Sequence, residues 1–170
     1  MKLRLTSFFA LFLLVSCSQS IKKAPKYQEV EISSNTAPSE AFNSSLDFNC
    51  ILDGIINLDM KSESEWMCFN EPAIDLQLDF QKTKTFKHFE IVFLTDNSKG
   101  IVLPSGILIK GARGDEPFFE LAKLNSKHIV DLRNNAIRIN FTEQGFDKIK
   151  LSIENERQSS AYIGISEVTF

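Results

Sequence analysis

The sequence predicts an all-β protein, an antiparallel jelly-roll β-sandwich, and three observations carry that prediction. Several segments alternate strictly between apolar and polar residues, as half-buried strands do. One pair of segments is joined by a Gly-Asp turn in the manner of a hairpin. No stretch shows a helical apolar stripe longer than a turn or two. Turn clusters divide the chain into roughly eight strands.

The elements follow in order. In IDLQLDF, Ile74, Leu76, Leu78 and Phe80 share one face, and Asp75, Gln77 and Asp79 the other. KHFEIVFL is apolar on both faces, which predicts a central strand. ILIKGARGDEPFFEL reads as strand, turn, strand. AIRINF sets Ile137, Ile139 and Phe141 against Arg138 and Asn140, and DKIKLSI sets Ile149, Leu151 and Ile153 against Lys148, Lys150 and Ser152. In the terminal YIGISEVTF, Glu167 has the parity of Ile163 and Ile165, so it points inward unless a bulge shifts it. An inward acid needs a partner, because an unpaired buried charge is costly.

The first 26 residues have a different character. Lys2 and Arg4 precede an uncharged apolar run, Phe8 to Val15, which is too short for the ~20 residues of a membrane span. Charge, apolar run and small residue in that order make an export signal. Leu14-Val15-Ser16-Cys17 resembles the lipobox of bacterial lipoproteins. That resemblance implies cleavage before Cys17, acylation of its sulfur and of the new amino terminus, and a stable bilayer anchor. Ser18 follows, where an aspartate would suggest inner-membrane retention, so an outer-membrane destination is favoured. Residues 1–16 are then signal, 17–26 the lipidated cysteine and a polar tether, and 27–170 one domain.

Five of the 19 Lys and Arg precede Tyr27, and none of the 22 Asp and Glu do. The domain therefore carries 14 basic against 22 acidic residues, a balance of −8, which argues against a nucleic-acid partner. With Cys17 lipidated, Cys50 and Cys68 remain. An even pair in an oxidising compartment invites a disulfide, the alternative being two separately buried thiols.

Several landmarks line up as a family pattern. ILDG (51–54) is followed by EWMCF (65–69), the alternating strands, LPSGILIKGARGDEPFFEL and the closing AYIGISEVTF, with VEISSNTAPSEAF as first strand and Pro turn. This order resembles the galactose-binding-like β-sandwich, the discoidin or coagulation-factor type C superfamily, over about Tyr27 to Phe170. Leu52 departs from the threonine usual there, and Asn70 from a core residue. The resemblance implies a structural Ca2+ held by Glu167 and Asp53, with Asn57 or Asp59 assisting. The alternative is a Glu167 satisfied by a basic side chain or backbone amides.

The parts of an enzyme are missing. His88 and His128 have no metal-ligand spacing, LPSGIL lacks a nucleophile elbow, and no glycine loop cradles phosphate. Arg113-Gly114-Asp115 resembles the integrin-binding tripeptide, but Gly-Asp is also what a tight turn requires, and the turn reading is preferred. Modules of the family bind ligands with loops at one end of the sandwich. A sugar there needs an aromatic platform and polar groups. Tyr162 and Arg157, with Asp96 and Asn97 opposite and Trp66 nearby, are the candidate contacts. Two Tyr and one Trp are a small aromatic investment beside 15 Phe, which keeps docking onto another envelope protein open as the alternative to glycan binding.

Overall fold

The computed structural model describes residues 29–42, 47–56, 65–129, 135–155 and 161–170. Seven strands dominate them: β1 (Val30–Ser34), β2 (Met67–Phe69), β3 (Ala73–Leu94), β4 (Gly106–Ala112), β5 (Phe119–Asn125), β6 (Ala136–Glu154) and β7 (Ile163–Thr169). All ladders are antiparallel. Among the described residues no helix is long and apolar enough to cross a membrane.

The expected pairs of neighbouring strands are fused. IDLQLDF and KHFEIVFL form one 22-residue strand, and AIRINF and DKIKLSI one of 19. The linking residues Gln81–Thr85 contain no Gly, Pro or Asn, so the backbone bends instead of turning. Register shifts between Asp79 and Lys84, and between Phe86 and His88, mark the bend. They also change the phase of alternation: the main-core residues are even-numbered from Ile74 to Phe86 and odd-numbered at Phe89, Ile91 and Phe93.

The bend turns one continuous sheet into two facing leaves. The first half of β3 pairs with β1 and with the second half of β6, which continues to β4 and β5. The second half of β3 pairs with the start of β6 and with β7, which continues to β2. Ile74, Leu76 and Leu78 from one leaf share a core with Phe89, Ile91, Phe93, Ile163 and Ile165 from the other. The fold is the antiparallel β-sandwich the alternation predicts, with KHFEIVFL central, between β6 and β7.

A second, smaller cluster lies on the outer face of β2 and β7. Met67 and Phe69 face the main core, so Cys68 between them faces the other way, with Trp66, Leu94 and Ile101. Gly164 makes that packing fit, since a Cβ there would lie 2.8 Å from Leu94 Cβ and 3.1 Å from Ile101 Cγ2. Leu94 Cβ is fixed to the backbone and cannot swing away. Gly164→Ala is therefore expected to cost about 1–3 kcal/mol, read as a lowered midpoint in thermal or urea unfolding.

Candidate functional site

At the end of β3 the chain reverses through a short 3₁₀ turn, Asn97–Lys99. Asp96 caps it, its Oδ1 accepting from the Ser98 amide (3.0 Å) and hydroxyl (2.6 Å). Gly100, at φ +73°, lets the strand return, and the Ile101 and Asp96 backbones then exchange hydrogen bonds of 2.9 and 3.0 Å. Ile101 also bridges Tyr162 in parallel, through Val102 N to Tyr162 O and Tyr162 N to Gly100 O, both 2.9 Å. Two predicted contacts, Asp96 and Tyr162, are thus set on either side of one buried isoleucine. Asn97 is exposed beside them. The Ser98 hydroxyl, and after it the Ser98 amide and Lys99, holds the Asp96 carboxyl below the ordinary carboxylate range.

Tyr162 is half-buried, its ring edge-on to Phe42 at 4.8 Å, and Phe42 lies 5.8 Å from Trp66. Trp66 itself is 1% exposed. It cannot be a stacking platform and belongs with the second cluster, a correction to its place among the expected ligand contacts. Phe42 is the aromatic that the sequence reading missed. It sits in SEAFNSS, where neither periodicity nor neighbouring apolar residues signal it. Arg157 lies outside the described residues. Asn155, also missed, is 8% exposed and ties down both ends of that loop: its amide donates to Pro72 O and its Nδ2 to Ala161 O, each at 2.9 Å.

The other predicted pair is also adjacent. The Phe48–Ile51 3₁₀ turn packs against β7 and leads into Asp53-Gly54. Gly54, at φ +79°, aims its amide at Glu167 Oε1, 3.1 Å away. Glu167 is fully buried, but a register shift in the ladder between β3 and β7 falls beside it. Glu167 pairs with Val92 while Val168 takes the core position after Ile163 and Ile165, so the bulge moves Glu167 off the parity of the isoleucines. Backbone amide satisfaction is thus present at one oxygen. Burial first, and the charge of Glu65 after the opposing Ile55 amide, raises the Asp53 carboxyl. Asn57 and Asp59 lie outside the described residues. Among the described residues no three His, Cys, Asp or Glu side chains are grouped to hold a metal.

Two further expectations can be placed. The Cys50–Cys68 disulfide is not formed; both side chains are thiols. Cys50 packs against the main core, whereas Cys68 belongs to the cluster on the far face of β2, so strand parity separates them. Arg113-Gly114-Asp115 is the β4–β5 turn, with Gly114 at φ +53°. Arg113 Nε donates to Gly145 O at 2.8 Å, and the Gly114 amide and Thr83 hydroxyl donate to the Asp147 carboxylate.

No family model matches the chain, and no curated protein matches it. Solved structures do. The GH31 CBM32-2 module bound to GalNAc superposes with a TM-score of 0.59 at 15% identity, over 83% of this chain and 97% of that one. CpGH89CBM32-5 from Clostridium perfringens, in complex with GalNAc-β-1,3-galactose, gives 0.58 at 11% identity, over 82% and 93%. The CBM32 of AlyQ, in complex with 4,5-unsaturated mannuronic acid, gives 0.56 at 17% identity, over 84% and 94%. The chain also spans 26% of a Ruminococcus gnavus GH29 fucosidase, at a TM-score of 0.55 and 11% identity. These likenesses show the fold: the chain folds as a β-sandwich like that of CBM32 carbohydrate-binding modules.

Burial pushes both thiols up to about 12, and the charges of Asp47, Asp53 and Glu167 add to it at Cys50. Both are then neutral at pH 8 and poor nucleophiles. Iodoacetamide is expected to spare Cys50 and Cys68 in the native protein and label both in denaturant, as peptide mapping by mass spectrometry reads directly.

Proposed function

We propose that the protein is a non-catalytic carbohydrate-binding module, held by lipid on the bacterial outer membrane through Cys17. The observation that carries the binding reading is the loop end of a galactose-binding-like sandwich, where Ile101 sets Asp96 beside Tyr162 over a packed aromatic pair. A carboxylate and an amide fix sugar hydroxyls, and a half-buried ring receives the apolar face of a pyranose. A screen of oligosaccharides against the chain from Tyr27 onward is expected to give sugar-specific binding that Tyr162→Ala weakens about tenfold or more. Absence of any glycan binding by a folded sample would sink the reading. The docking alternative, an accessory protein seated on an envelope partner, asks for a continuous apolar face. Among the described residues the large exposed hydrophobics are Ile55, Ile56 and, on the distant edge strand β5, Phe119.

The anchor rests on the Leu14-Val15-Ser16-Cys17 pattern and on the apolar run before it. Cys17→Ala is expected to move the protein from the detergent phase to the soluble fraction and to abolish incorporation of labelled palmitate. Retention of the label would overturn that assignment.

A Ca2+ beside Asp53 and Glu167 is suggested by the adjacency of the Asp53-Gly54 turn to Glu167 and by the charge of Glu65 near Asp53. Asp53 and Glu167 would supply side-chain oxygens, and backbone carbonyls the remainder of a six- to eight-oxygen shell. The ion's contribution is structural, neutralising buried charge. Melting is expected to be higher in Ca2+ than in EDTA, and Glu167→Gln to remove the difference. Identical melting of the unaltered protein in the two buffers would discard the site.

A further inference from the structure

Between β1 and the Phe48–Ile51 turn lies a groove of about 330 Å3, a size within the usual range for small-ligand sites. It is remote from the loop end. β1 pairs only with β3, and the pairing ends at Val30 opposite Phe80, so the next residue, Gln81, stands at the groove with its amide on Glu29 O at 3.3 Å. The opposite wall is the turn, which Phe48 fastens to the core by stacking on Phe69 (6.5 Å, 23°).

The lining is mixed in a particular way. Val30, Ile32 and Phe48 supply apolar surface, and Glu31, Asp47, Asn49 and Gln81 supply carboxylates and amides. Asp47 is already immobilised, its Oδ1 accepting from the Asn49 amide at 3.0 Å and Asn49 Nδ2 at 2.7 Å. Binding would therefore cost little side-chain ordering at that residue. The exposed lining is mostly polar, with a small apolar area at Ile32 and Phe48, and such a groove recognises a sugar chiefly through hydroxyls that donate to carboxylate or amide oxygens. Among the described residues two carboxylates and no lysine, arginine or histidine line the groove, so an anionic sugar meets like charge there.

We propose that this groove is a saccharide subsite separate from the loop end, taking a neutral or amine-bearing sugar unit and rejecting uronates. The proposal rests on the carbohydrate-binding reading for its ligand class. Its location rests on the groove alone.

The test titrates the full-length chain in detergent micelles with galactose- or N-acetylhexosamine-based oligosaccharides, chitosan oligosaccharides and oligouronates, by calorimetry and backbone amide NMR. Three variants accompany it: Gln81→Trp, which fills the groove from an exposed position, Glu31→Gln, and Tyr162→Ala. Neutral or amine-bearing sugars are expected to shift the amides of Val30–Ile32 and Asp47–Asn49. Gln81→Trp should weaken that component about tenfold or more, Tyr162→Ala should leave it in place, and Glu31→Gln should let oligouronates into it. Gln81→Ala, which removes only an exposed amide, replaces the tryptophan variant if that one fails to fold, with a severalfold loss expected. Shifts confined to Asp96, Asn97 and Tyr162 and indifferent to both Gln81 variants would overturn the groove while leaving the module reading intact. No shift anywhere with any sugar would overturn both.

Discussion

The sandwich depends on the ladder between β3 and β6, which pairs on both sides of the bend that separates the two leaves and shifts register at it. Because the same two strands serve both leaves, neither leaf can slide on the other without breaking that ladder. The bend is held by phenylalanines. Phe86 stacks on Phe146 at 5.9 Å and 12°, Phe80 and Phe86 each meet Phe170 edge-on, and Lys84 Nζ lies 5.7 Å above Phe80. Each such ring pair is worth about 0.5–1.5 kcal/mol beyond burial. Together they explain where the phenylalanines are concentrated. They are the seam of the fold, and few are left for ligands.

That seam also sets the spacing at the opposite end. β3 ends at Leu94 and β6 at Glu154, so the loops that follow them start from fixed points. Single backbone bridges then do what a longer strand would: Asp96 to Ile101, and Ile101 to Tyr162. The small cluster of Trp66, Cys68, Leu94 and Ile101 closes the outer face beneath them. Its burial of a tryptophan and a thiol is structural, and it leaves Tyr162 as the ring with an accessible edge.

Much of the fold was legible because strict alternation has one physical reading. Ile74, Leu76, Leu78 and Phe80 are all buried, as are Ile149, Leu151 and Ile153. The burial of Glu167 could be anticipated, but its parity with Ile163 and Ile165 could not be kept, because a bulge that carries no sequence pattern shifts the core position to Val168. Strand count could not be read either, since the bend of β3 at Gln81–Thr85 carries no turn residue, and among the described residues seven strands stand where about eight are predicted. The site was legible only in part. Tyr162 and Asp96 could be named as loop residues, but their junction passes through one-residue bridges that carry no pattern. Phe42 lies in a polar run, and the outward-facing core that takes Trp66 and Cys68 exists only once loops cover β2. The disulfide expectation failed for the same reason, because the spacing of two cysteines does not reveal which side of a strand each will face.

The chain joins the sandwich at Val30, paired with Phe80 beside the phenylalanine seam, while Tyr162 opens β7 at the other pole. β7 alone, at seven residues, separates the poles by roughly 23 Å. With Cys17 as the bilayer attachment we propose, twelve residues, Ser18 to Glu29, would lie between the anchor and β1, and twelve residues span at most about 40 Å. An anchor before β1 would join the sandwich at the pole away from Asp96 and Tyr162, which would leave that loop end free to face outward. Tether and body together would then fix a reach, and many copies in one membrane would grip a polymer passing within it by effective concentration, each contact individually weak.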